Sequence, residues 1–246
     1  MEPRPNLLII HAHDLGRHTS VYGAGVTTPA LQNFAERAMV FSNAWSCAPT
    51  CSPSRAALLT GWYPHEVGML GLAHLGFSLE RTDLHLSAEM QRAGYETVLA
   101  GVQHEVPDHR MLAYDRTIGS DPHAPYMADF DPPAWDRENA AAVEAFIRET
   151  DPDAGAPPWF LFWGLFEPHR PFDAEQPGDA TAVAVPAGLP DTGAVRTEYA
   201  AFCRSVRRVD VLIGRVLAAL DQSGRGNDTL VMITSDHGID FPRYKC

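Results

Sequence analysis

Four short apolar runs constrain this chain more than any other feature. They are Asn6–Ala12 (NLLIIHA), Tyr95–Gly101 (YETVLAG), Trp159–Phe166 (WFLFWGLF) and Thr229–Asp236 (TLVMITSD). Each is apolar almost throughout rather than at alternate positions, the pattern of a strand buried on both faces. Helical spacing fills the intervals. Pro29–Val40 follows Thr28, Pro53–Thr60 has Ser52 as its expected N-cap and stops at Gly61, and Leu86–Ala93 stops at Gly94. Trp135–Thr150 and Glu198–Gln222 are longer, the second with Val206, Val209, Leu212, Ile213, Val216 and Leu220 on one stripe. Strands of this kind alternating with helices predict an α/β fold, a mostly parallel sheet with helices on both faces. Glu105–Pro133 and Pro171–Gly193 read as loops that follow strands, a position equally consistent with shaping a substrate pocket and with plain surface loops.

A chain of 246 residues buries a large core without disulfides. Its four cysteines, Cys47, Cys51, Cys203 and Cys246, form no C-x-x-C pair, which argues against a disulfide framework or a structural zinc site. The net charge of -12 argues against nucleic acid as a partner, because a polyanion needs a basic face. No apolar run is long enough to span a bilayer, and MEPRPNLLII does not read as a signal peptide. The expectation is a cytoplasmic protein with no membrane partner, a periplasmic or secreted location staying open if the chain was trimmed. Because FPRYKC closes the sequence soon after the fourth strand, it also reads as part of a longer enzyme.

In open α/β sheets ligands bind beyond the carboxyl ends of the strands. Here the four runs lead into His11, His13 and Asp14; His104 and Glu105; Glu167, His169 and Arg170; and Asp236 and His237. Asp14, Asp236 and His237, with His13, suit a divalent cation. Separately, Cys51-Ser52-Pro53-Ser54-Arg55 puts a cysteine at the entrance of a helix whose free N–H groups attract an anion. A thiolate is expected to be stabilised there. A dinucleotide fold fits poorly, since HAHDLG stands where a G-x-G-x-x-G would follow the first strand. A cysteine hydrolase leaves the Asp/His set without a role.

The segment CSPSRAALLTG resembles the signature of the sulfatase family, in which the cysteine is oxidised to formylglycine. RPNLLIIHAHDLGRHTSVYG resembles that family's first strand and metal turn, TLVMITSDHG its later metal strand, and FEPHRPF its Pro-His substrate segment. Gly68-Met69-Leu70-Gly71-Leu72 is similar to members acting on N-sulfated sugars. The likeness runs from Pro5 to Cys246. It implies an alkaline-phosphatase-like α/β fold, residues 1–246 forming an incomplete N-terminal catalytic domain without the smaller C-terminal subdomain.

The resemblance further implies a sulfuric ester hydrolase. Cys51 would be the modified nucleophile, and it would share the metal with Asp14, Asp236, His237 and His13. Calcium is the foremost candidate ion, with manganese or magnesium as alternatives. Arg55 would hold the charge of the formylglycine, His104 would bond its hydroxyl, and His169 and Lys245 would contact the sulfate, His169 also protonating the leaving group. The implied partners are a formylglycine-generating enzyme and a small sulfated carbohydrate or aryl sulfate. Two positions depart from the family pattern. His13 replaces the first of a pair of aspartates, and Val102 replaces a lysine two residues before His104. Together with Asp236-His237 they keep open a phosphonate monoester or phosphodiester hydrolase, and a non-catalytic sulfatase-like binding protein. His65 and His74 are candidates to compensate for the lysine.

Overall fold

The structure is a computed structural model, and it describes residues 4–126, 129–150, 156–172, 180–181, 183–242 and 244–245. Five strands form one sheet: β1 (Asn6–Ala12), β2 (Glu96–Gly101), β3 (Arg116–Ile118), β4 (Trp159–Gly164) and β5 (Thr229–Ser235). Their order is β3-β2-β4-β1-β5, and every pairing is parallel. The helices are α1 (Pro29–Ala35), α2 (Cys51–Thr60), α3 (Leu86–Arg92), α4 (Pro132–Glu149) and α5 (Gly193–Gln222).

Alternation along the strands sorts their side chains between two helical layers. Leu8, Ile10, Val98, Leu161 and Trp163 pack with α1, α4 and α5. Ile9, Leu99, Phe160 and Phe162 face the other way, against Leu59 of α2 and the partly buried Leu86 and Met90 of α3. Residues Trp159 through Trp163 of central β4 are at most 1% exposed. Each such large apolar side chain stabilises the fold by about 2 kcal/mol relative to exposure. This is the predicted α/β sheet with helices on both faces.

The differences have physical reasons. β3 falls inside the segment expected to be a loop; its three residues are largely exposed and carry no apolar run to reveal it. β5 is a sheet edge, and although Val231 and Ile233 pack on the core, Leu230 and Met232 are 60% and 44% exposed. The fourth run is therefore covered on one face only among the described residues. α1 stops at Ala35 rather than Val40, and Met39 and Phe41 beyond it are exposed, with no packing to extend the helix. α2 starts two residues early, at Cys51, with Thr50 as N-cap. Ser52 lies inside the first turn and accepts the Ala73 N–H at 3.0 Å. Pro53 is tolerated there because first-turn N–H groups have no intrahelical acceptor. β4 ends at Gly164 rather than Phe166, where β2 and β4 come together. A Cβ on Gly101, whose φ is +77°, would lie 2.1 Å from the Gly164 carbonyl oxygen. Only glycine allows this contact, and past it the two chains separate toward His104 and His169. Part of the expected Pro171–Gly193 loop, and Cys246, lie outside the described residues.

Candidate active site

The exits of β1 and β5 are tied together by backbone groups. Asp14 is the only described non-glycine residue with positive φ, at 56°, a costly conformation that marks functional turns. Its N–H donates to Asp236 Oδ1 at 2.9 Å, and the N–H of His237 donates to the same oxygen at 2.9 Å. The N–H groups of Leu15 and Gly16 donate to Ser235 Oγ, each at 3.1 Å, and that hydroxyl donates to the His237 carbonyl at 3.0 Å. The Asp236 carboxylate is thereby fixed through Oδ1, which leaves Oδ2 for other partners.

α2 brings its first residue to the same point. Cys51 Sγ lies 3.4 Å from His237 Nε2, and the Ser54 hydroxyl donates to the Asp236 carbonyl. Arg55, fully buried, sets Nε 3.4 Å from Asp236 Oδ2 and donates from Nη1 to the Val102 carbonyl at 3.4 Å. Its Nη2 has no hydrogen-bond acceptor among the described residues. A buried donor left that way costs about 1–3 kcal/mol, which a bound oxyanion would relieve. Lys245 Nζ reaches both oxygens of Asp14, at 3.1 and 2.9 Å.

The histidines close the cluster. His13 Nδ1 is 2.9 Å from Asp14 Oδ1 and 3.2 Å from Asp236 Oδ2, and its Nε2 is 3.2 Å from His104 Nδ1. His169, a quarter exposed, places its ring centroid 4.4 Å from that of His13 and its Nε2 3.9 Å from Asp14 Oδ2. Donor atoms of Asp14, Cys51, Asp236 and His237 lie within 4.8 Å of one another, as do those of His13, Asp14, Cys51 and His169. Two carboxylates with imidazoles between them form a donor set that fits a divalent cation. All nine sequence-predicted site residues therefore meet in one place.

Burial governs the protonation of these groups. It drives the His13, His104 and His169 imidazoles below their ordinary value, toward the neutral form. It also pushes the Cys51 thiol up to about 12, with Asp236 and Asp14 adding to the effect and Lys245 and Arg55 too weak to reverse it. The stabilised thiolate expected at this helix entrance is not found, because the thiol is dry and faces two carboxylates. Without a cation between it and the carboxylates, an unmodified Cys51 is thus poorly suited to act as a nucleophile.

Neighbouring strand-end residues have other tasks. The His11 ring, fully buried, lies 5.6 Å from that of Phe162, and burial lowers its pKa to about 3. Glu105 Oε2 accepts the N–H of His104 at 3.1 Å and so shapes the turn that presents it. Glu167 is held by Arg208, whose Nε lies 2.9 Å from its Oε1. His65 stacks on Tyr63 at the surface, whereas His74 lies near enough to His104 to act on it electrostatically.

A sequence model of the Sulfatase family matches residues 5–244. The chain belongs to the sulfatase family. It is 30% identical over 275 aligned residues to the human N-sulphoglucosamine sulphohydrolase, covering 96% of this chain and 51% of that protein. Among solved structures, yidJ of Bacteroides fragilis superposes with a TM-score of 0.77 at 23% identity, covering 97% of this chain and 63% of the other. The phosphonate monoester hydrolase of Agrobacterium radiobacter gives 0.67 at 20% identity, covering 96% and 63%. These structures share the sulfatase fold with this chain, which spans about half the length of its human relative.

Sequence reasoning missed the supports of this site. Asp136 of α4, fully buried, accepts the N–H groups of Phe166 at 2.9 Å and Glu167 at 2.8 Å, anchoring the turn that carries His169. Nothing in its local sequence, on an amphipathic helix, sets this aspartate apart. Only the chain crossing beside it, after β4, reveals the role. Asp136→Ala should destabilise the protein by about 2 kcal/mol in urea unfolding, since two buried amides lose their acceptor, a carboxyl that burial pushes up to about 8 and so keeps largely neutral. An unchanged midpoint would refute that role.

Proposed function

We propose that this sulfatase-family chain hydrolyses sulfate esters or sulfamates, using a formylglycine made from Cys51 and a divalent cation held by Asp14, Asp236, His237 and His13. The observation that carries the reading is the position of residue 51. It stands at the first turn of α2, within 4.8 Å of the donor atoms of Asp14, Asp236 and His237. With both in place, the cation and the hydrated aldehyde supply an oxygen nucleophile near neutral pH.

The remaining work falls to the chain's own residues. Arg55, Lys245 and the α2 N-terminus set positive charge against the non-bridging oxygens of the substrate, and these charges gain strength as negative charge builds in the transition state. Such groups act at full effect because burial excludes water. His104, whose Nδ1 meets His13 Nε2, orients the hydroxyl of residue 51 through its other ring nitrogen. His169, at the open side of the cluster, stands where it can protonate the departing oxygen or nitrogen; burial disfavours its charged form, and the negative charge of a bound substrate offsets that. Met69 packs with Ala56 of α2, so the GMLGL segment lies beside the nucleophile helix where it can contact the group bearing the sulfate. Likeness to a protein named N-sulphoglucosamine sulphohydrolase supports a sulfated sugar, with an aryl sulfate as a test substrate.

A second reading, hydrolysis of phosphonate monoesters or phosphodiesters, is favoured by the Asp236-His237 pair, by Val102 and by the fold shared with a phosphonate monoester hydrolase. Coexpression with a formylglycine-generating enzyme tests both. Peptide mass analysis should find the aldehyde at residue 51, and the purified protein should turn over N-sulfoglucosamine or an aryl sulfate. Faster turnover of a matched phosphodiester would establish the second reading. Absence of both the aldehyde and turnover would make the chain a binding protein.

A further inference from the structure

We infer that the cation site of this chain selects a borderline transition ion of the manganese, cobalt or zinc type over calcium, and that His13 sets the preference. The inference rests on the site proposed above and deepens it.

The first argument is an inventory of oxygens. Asp14 and Asp236 are the only carboxylates in the two donor groups. Asp236 Oδ1 already accepts two backbone N–H groups, and Ser235 Oγ is occupied by three partners. That leaves Asp236 Oδ2 and the two oxygens of Asp14, both facing Lys245. Calcium takes roughly six to eight oxygen ligands, and its affinity rises with the number of charged ones. Two carboxylates, one with an oxygen committed and the other shared with an ammonium, fall well short.

The second argument is what the nitrogens offer. His237 Nδ1 lies 2.9 Å from the Gly238 carbonyl, so that nitrogen carries the proton and Nε2 keeps its lone pair. Metal-ligating histidines are commonly oriented by such a carbonyl. His13 has a matching arrangement. With Nε2–H donating to His104 Nδ1 at 3.2 Å, the lone pair of Nδ1 faces Asp14 Oδ1 at 2.9 Å and Asp236 Oδ2 at 3.2 Å. Three acceptors then converge at full burial; Lys245 and Arg55 balance the two carboxylates from outside, and a cation among the three would engage the nitrogen as well. In the other tautomer Nδ1–H donates to the carboxylates, and cation binding selects against it. Imidazole nitrogens contribute far more to a transition ion than to calcium.

The test uses the whole chain, coexpressed with the maturing enzyme, stripped by a chelator and dialysed against equal Mn2+ and Ca2+. Bound metal is measured by mass spectrometry, and Co2+ is added separately as an absorption probe. The wild type should retain Mn2+ over Ca2+, and His13→Asp should lower that ratio on the order of tenfold. The variant should also alter the visible Co2+ bands. Preferential retention of Ca2+ by the wild type, or an unchanged ratio in a folded His13→Asp, would overturn the inference while leaving the proposed hydrolysis intact. If wild type bound neither ion, both would fall. Should His13→Asp fail to fold, the wild-type competition and the Co2+ spectrum still decide.

Discussion

Cys51→Ala should reduce sulfate-ester turnover to background, a loss on the order of 10⁴-fold or more, as removal of an enzymic nucleophile generally does. The fold should tolerate the change, because residue 51 is a buried first-turn position where a methyl group fits and the thiol's hydrogen-bond neighbour among the described residues is His237. Cys51→Ser separates the two halves of the chemistry. Its single hydroxyl can accept the sulfuryl group, but it has no second hydroxyl on the same carbon to expel sulfate. One equivalent of leaving group should appear in a burst, and intact mass should register the sulfated serine. Steady turnover by Cys51→Ala within tenfold of wild type would remove residue 51 from the mechanism.

How far the primary structure foretells this arrangement differs between its parts. Runs such as NLLIIHA and WFLFWGLF disclose their strands because burial on both faces favours apolar residues at successive positions, and this holds in any topology. Arg116–Ile118 discloses nothing, since an exposed edge strand takes its identity from the neighbour it pairs with, here Val98 to Ala100. The site divides in the same way. Asp14, His104, His169 and Asp236 are legible because they end strands, and parallel strands deliver their ends to one rim. Asp136, Ser235 and Glu105 act by accepting backbone N–H groups from turns. Such roles depend on where another segment passes, a tertiary fact without a local pattern. The raised pKa of the Cys51 thiol escapes the sequence for a related reason. A helix N-terminus favours a thiolate, yet the nearby carboxylates come from β1 and β5, far away in the chain.

Asp236 joins more of these elements than any other residue, and its removal should have the second large effect. Oδ1 receives the N–H groups of Asp14 and His237, while Oδ2 faces His13 Nδ1 at 3.2 Å and Arg55 Nε at 3.4 Å. Asp236→Ala leaves two buried amides without an acceptor and a buried guanidinium without its carboxylate. Loss of one member of a buried pair costs about 3–5 kcal/mol, and cation binding should become undetectable. Asp236→Asn keeps an amide oxygen for the two N–H groups but removes the charge, so it should recover part of the stability and none of the cation affinity. The pair also predicts a pH dependence. Burial alone would raise the Asp236 carboxyl; His13, Arg55 and His237 outweigh it and hold the group well below the usual carboxylate range. A depressed folded-state pKa stabilises the protein above the unfolded value of about 3.9 and is lost as pH falls through the folded value. Wild type should therefore lose more stability than Asp236→Asn between about pH 5 and the acid limit of the urea experiment. Parallel curves for the two proteins would mean that the charge of Asp236 is not what holds Arg55 and the two strand exits in place.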